Sequence, residues 1–131
     1  LCLKYNEIAI NNPEDYHLSE IILTSNIYSK IIDLLNKEQG ILSEQDWAEL
    51  DNVINLAYPK FKTYLHIMHE NISEQEYKIC MLVKCKFGPK NIGILTFRDK
   101  TTVTSTRKRL YRKFFYEEGK ANDFDRFIYS L

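Results

Sequence analysis

Residues 101–115 read TTVTSTRKRLYRKFF. Four threonines, a serine and Val103 fill positions 101–106. Arg107, Lys108, Arg109, Arg112 and Lys113 then place five cations in seven residues, with no acid inside the stretch. Small hydroxyl side chains let a helix backbone come close to another surface, and long cations beyond them reach phosphates. That order suits a polyanion better than it suits helix stability. β-branched and hydroxyl side chains lose rotamer freedom in a helix or compete with its backbone hydrogen bonds. The net charge of zero hides the same bias. Residues 1–83 carry 6 Lys against 13 acids, residues 84–113 carry 10 Lys and Arg against Asp99 alone, and residues 114–131 carry two cations and four acids. A local charge of +9 in a neutral chain points to a polyanionic partner for 84–113. The plainer alternative is a solvated basic face.

Other chemistry finds little support. His66 and His69 in HIMHE sit three apart, which fits neither the HExxH nor the HxxEH zinc motif. No metal site and no cofactor are expected. Cys2, Cys80 and Cys85 include no CxxC pair and read as free thiols in a reducing cytoplasm. There are four glycines and no glycine-rich phosphate loop, and the acids of 1–83 form no catalytic dyad. No catalytic residue and no enzymatic activity are therefore expected. No apolar run approaches the roughly 20 residues that span a bilayer, and no signal peptide pattern is visible. The expected setting is cytoplasmic, with no membrane contact by this segment.

The elements that must position the basic stretch all read as helices. INNPED (10–15) reads as a turn or linker broken by Pro13, so 1–16 is a linker or the end of an upstream element. Residues 17–37 carry Leu18, Ile21, Ile22, Ile31, Ile32 and Leu35 at helical spacing, with Gly40 as a stop. From an N-cap at Ser43, Trp47, Leu50, Ile54, Ala57, Phe61, Leu65 and Met68 form one long apolar stripe. Pro59 predicts a kink or two abutting helices within it. Ser73 and Glu76 form a capping box for a helix to about Lys86. Gly88-Pro89 opens a short helix, Asp99 caps the basic one, and Asn122 caps a last helix that docks Phe124, Phe127 and Ile128. The fold class is all-α, with a helical subdomain over 17–71 followed by a unit over 72–131. At about 100° per residue, Val103, Leu110 and Phe114 fall within about 40° of each other and must face the core. Thr101, Ser105, Lys108 and Arg112 fall opposite, flanked by Thr104 and Arg109. A helix of about 13 residues, a short connection, a short helix, a turn without Pro and a basic helix form the helix-turn-helix order.

Residues 72–114, ISEQEYKICMLVKCKFGPKNIGILTFRDKTTVTSTRKRLYRKF, resemble without a gap the LuxR/GerE-type helix-turn-helix of bacterial transcription regulators. The landmarks are Glu76, Lys90, Ile92, Thr102-Val103, Arg107, Arg112 and Lys113. EQDWAEL, YPKF and DFDRFI around the motif resemble the C-terminal output region of tetratricopeptide-repeat-type sensor-regulators. This resemblance implies a helical bundle ending in a LuxR-like helix-turn-helix, with a sensor region upstream. It implies double-stranded DNA as partner and a homodimer on DNA, paired through the 47–68 stripe or helix 122–131. It carries base reading over to Thr104, Ser105 and Lys108, and phosphate contact to Lys90, Thr102, Arg112 and Lys113. The helical wheel adds Arg109 to the phosphate set. The chain departs from the family in having Lys86 where Gly is usual, Gly93 where Ala is usual, and Thr96 and Arg98 where apolar residues are usual. The rival reading is a helical protein-interaction module that uses the same scaffold without touching DNA. RNA binding is the weaker option, because no exposed aromatic platform is apparent beside the cations.

Overall fold

The structure, a computed structural model, describes residues 16–38 and 41–131. Pro13, Gly40, Cys2 and all of the 1–16 segment except Tyr16 lie outside the described residues. The described chain is all-helical: α1 (Glu20–Leu23), α2 (Asn26–Asn36), α3 (Glu44–Ala57), α4 (Phe61–Met68), α5 (Glu74–Lys84), α6 (Pro89–Thr96), α7 (Lys100–Phe115) and α8 (Ala121–Ser130). Among these residues no helix is long and apolar enough to cross a membrane.

Local chemistry sets the boundaries. The helix expected over 17–37 is two helices, because Thr24 and Ser25 interrupt it. The Thr24 hydroxyl donates to the Glu20 carbonyl, and the Ser25 hydroxyl accepts from the Tyr28 amide and so starts a new helix. Ser43 with Asp46, and Ser73 with Glu76, form reciprocal capping boxes. Pro59 divides the long stripe into α3 and α4, as its spacing predicts. The last helix begins two residues earlier than expected, with Lys120 at the cap position. Asn122 lies inside it, while the Lys120 amide donates to the Asp123 carboxylate at 2.8 Å and holds the entry.

One apolar cluster runs from Ile22 through Leu50, Phe61, Ile79 and Val103 to Ile128. The 47–68 stripe is its centre: Leu50, Ile54, Phe61 and Leu65 are wholly buried, with Trp47 and Met68 nearly so. Phe124, Phe127 and Ile128 of α8 are buried as well. The apolar residues of both surfaces expected to pair two copies are therefore packed into the core, apart from half-buried Ala57. The α7 helix lies on α8, α6, α4 and α5, and the contact with α4 ties the basic stretch to the preceding helices rather than leaving it on a detached unit.

Candidate nucleic-acid interface

The α7 helix has the two faces its sequence predicts. Val103, Leu110 and Phe114 are fully buried, and Thr106 is buried beside them. Thr101, Thr102, Ser105, Lys108, Arg109 and Arg112 are exposed, and Thr104 is half-buried. The unfavourable hydroxyl run is managed locally. The Asp99 carboxylate accepts the Thr102 amide at 2.7 Å, and the Thr106 hydroxyl donates to the Thr102 carbonyl at 3.0 Å. The bond from the Thr102 amide holds the Asp99 carboxyl below the usual carboxylate range. The first turn of α7 is thereby fixed, with Lys100 and the short Thr101 and Thr102 side chains exposed.

The cations differ from one another more than the sequence suggests. Arg107 is buried and forms a two-pronged pair with Asp125 of α8, its Nε 3.0 Å from Oδ1 and its Nη2 on Oδ2. Lys113 donates to Glu76 at 2.8 Å, with Arg109 further off at 3.9 Å. Burial pushes the Glu76 carboxyl up, but the bonds from Lys113 and the Ser73 amide outweigh it and leave the group below its usual range. Arg112 meets Glu118 at 3.2 Å with both side chains in solvent. Lys108 has no acid partner among the described residues, and neither has Lys90 at the exposed start of α6. Of the proposed contact residues, the structure gathers Thr102, Ser105, Lys108 and Arg112 on the outer side of α7. It turns Lys113 inward to Glu76.

Three of the four departures noted in the sequence, Gly93, Thr96 and Arg98, lie at the junction of α6 and α7. A Cβ at Gly93 would meet the Arg98 carbonyl oxygen, whose own amide donates to the Gly93 carbonyl at 2.9 Å. The smallest residue is thus required where the two helices approach. Thr96 is buried with its hydroxyl satisfied by the Ile92 carbonyl at 2.7 Å. Arg98 stays exposed and donates to the Thr96 carbonyl. Lys86 holds φ 68, a left-handed conformation that favours glycine. Phe97 does the same at φ 57 and is 75% exposed. It is an exposed aromatic directly beside Arg98, which the sequence reading did not anticipate.

The other candidates behave as ordinary structure. His66 is exposed, its Nδ1 2.8 Å from the Lys62 carbonyl, while His69 lies just past the end of α4 beside Phe114. Among the described residues no group of three or more His, Cys, Asp and Glu is placed to hold a metal. Cys80 and Cys85 are free and buried, and burial pushes the Cys85 thiol up to about 12, which leaves it unreactive. The chain matches no protein-family model, and no significant match exists among curated proteins or solved structures.

Proposed function

We propose that the chain is the DNA-binding output region of a bacterial transcription regulator, acting in the cytoplasm without catalysis, with α6 and α7 as a LuxR-like helix-turn-helix. The observation that carries this reading is the outer face of α7. Its N-terminal half exposes Thr101, Thr102 and Ser105, and one turn on stands Lys108 without an acid partner among the described residues. The opposite face is locked into the core by Val103, Leu110 and Phe114. A rigid helix with a short polar leading end and a free cation matches what major-groove reading requires. Thr104, Ser105 and Lys108 are the base-reading set. Lys90, Thr102, Arg109 and Arg112 position the helix on phosphates, and Lys113 supports them from its pair with Glu76. Two copies would read half-sites about one helical turn apart.

Selection from a random duplex library, followed by affinities on the selected and a scrambled duplex, tests this reading. Lys108→Ala is expected to lose roughly 1–3 kcal/mol on the selected site and to relax preference at one or two base positions. If the specific-to-scrambled ratio is unchanged by Lys108→Ala and by replacement of Thr104 and Ser105, α7 does not read DNA.

A further inference from the structure

Between the first turn of α5 and the side of α7 lies an open cleft of about 400 Å³. Arg98, Arg109 and Lys113 line it, with Glu76 as its acid and Ser73 and Gln75 at its rim. Three cations against one carboxylate leave the lining with a surplus of positive charge. The Glu76 carboxylate is already engaged: one oxygen takes the Ser73 amide at 2.9 Å and the other takes Lys113 at 2.8 Å. Arg109 stands 3.9 Å from that second oxygen, beyond hydrogen-bond reach, and keeps half of its side chain in solvent. Arg98 contributes a single bond, at 3.3 Å to the Thr96 carbonyl, and has no acid partner among the described residues. Two guanidinium groups with unspent donors therefore face one cleft. A guanidinium fork matches a tetrahedral oxyanion, which can take two of its N–H groups at once.

We propose that this cleft is a phosphate subsite, in which Arg98 and Arg109 bind the anion while Glu76 holds Lys113 and sets the affinity from behind. The inference rests on the DNA-binding reading for its first source of phosphate, a phosphodiester beside the one that α7 tracks. The same chemistry would also accept free phosphate. Glu76 acts in two opposed ways. Its bonds orient the cations, and its charge repels the incoming anion. Glu76→Gln separates the two, because glutamine serves the same position of a capping box without the charge.

The test uses the whole 131-residue chain. Inorganic phosphate titrated into the isotope-labelled protein is expected to shift the amides of residues 73–76, 98 and 109 saturably. Arg98→Ala should weaken that binding several-fold, and its far-ultraviolet spectrum should be unchanged because Arg98 is exposed. Glu76→Gln should tighten it several-fold. In parallel, Arg98→Ala should lower the salt slope of binding to scrambled duplex by about one. Saturable shifts with an unchanged slope assign the subsite to free phosphate. Saturable shifts in a chain that binds no duplex leave the subsite standing and remove the DNA reading. Duplex binding with neither saturable shifts nor a change of slope overturns the subsite and leaves the DNA reading intact. Phosphate affinity that ignores Arg98→Ala, or falls in Glu76→Gln, also overturns it.

Discussion

Arg107 and Lys84 are two cations buried in one bundle, and both hold the last helix in place. Arg107, on α7, meets the Asp125 carboxylate on the first turns of α8. Lys84, at the end of α5, donates to the carbonyls of Ile128 and Tyr129 at 3.3 Å each, near the other end of α8. Its ammonium lies 4.1 Å from the centre of the Tyr58 ring and 4.7 Å from that of Tyr16. One cation thus has a full counter-charge. The other has only dipoles and ring faces, with no carboxylate partner among the described residues. Burial brings the Lys84 amine down to about 7, opposed only in part by the neighbouring Cys85. An arginine with its carboxylate is a permanent pin. A lysine without one is a pin whose charge depends on pH.

The largest effect is expected from breaking the paired site. Arg107→Ala strands Asp125, only 18% exposed, and should lose about 3–5 kcal/mol in denaturant unfolding. Replacing Arg107 and Asp125 together by apolar residues of similar size should recover much of that loss. A double variant as unstable as the single one would show that the pair is not what holds α8.

The lysine sharpens the contrast through pH. Its amine titrates near 7 in the folded chain and at its ordinary value of 10.5 when unfolded. Between those values the unfolded chain binds more protons, so this group makes stability rise with pH from about 7 to 10.5 and leaves it flat below. Tyr16, Tyr58, Tyr129 and Cys85 surround it. The Tyr16, Tyr129 and Cys85 groups are raised by burial and act oppositely at alkaline pH. The readout is therefore the difference between wild type and Lys84→Met across pH 6–10. That difference should favour the methionine variant most at the acid end and shrink as pH rises. A difference independent of pH would refute the assignment.

The smallest effect belongs to the exposed pair. Arg112 and Glu118 are both in solvent, so Arg112→Ala should change stability by no more than about 0.5 kcal/mol. On scrambled duplex it should still lower the salt slope by about one, because a solvent pair releases its cation readily. A large stability loss with an unchanged slope would make Arg112 structural.

Local signals explain what could be read in advance. Ser43, Ser73, Gly88-Pro89 and Asp99 each act within four residues of the boundary they set, so the sequence displays them. Val103, Leu110 and Phe114 declare the buried face of α7 by spacing alone. The partners of the cations were hidden, because Asp125 lies 18 residues from Arg107 and Glu76 lies 37 from Lys113. Nothing local marks Asp125 as more than a first-turn acid, so five unpaired cations were expected where four have acids nearby. The left-handed Phe97 was equally hidden, because a phenylalanine advertises neither a turn nor exposure.

The close packing of α8 on α7 also orders events in time. A chain made from its N-terminus brings out Arg107, Leu110 and Phe114 before Phe124, Asp125 and Phe127, on which they settle. Until α8 has emerged, the basic helix carries an uncompensated arginine and an open aromatic face. The arrival of Asp125 quenches the arginine, and the same helix covers Phe114.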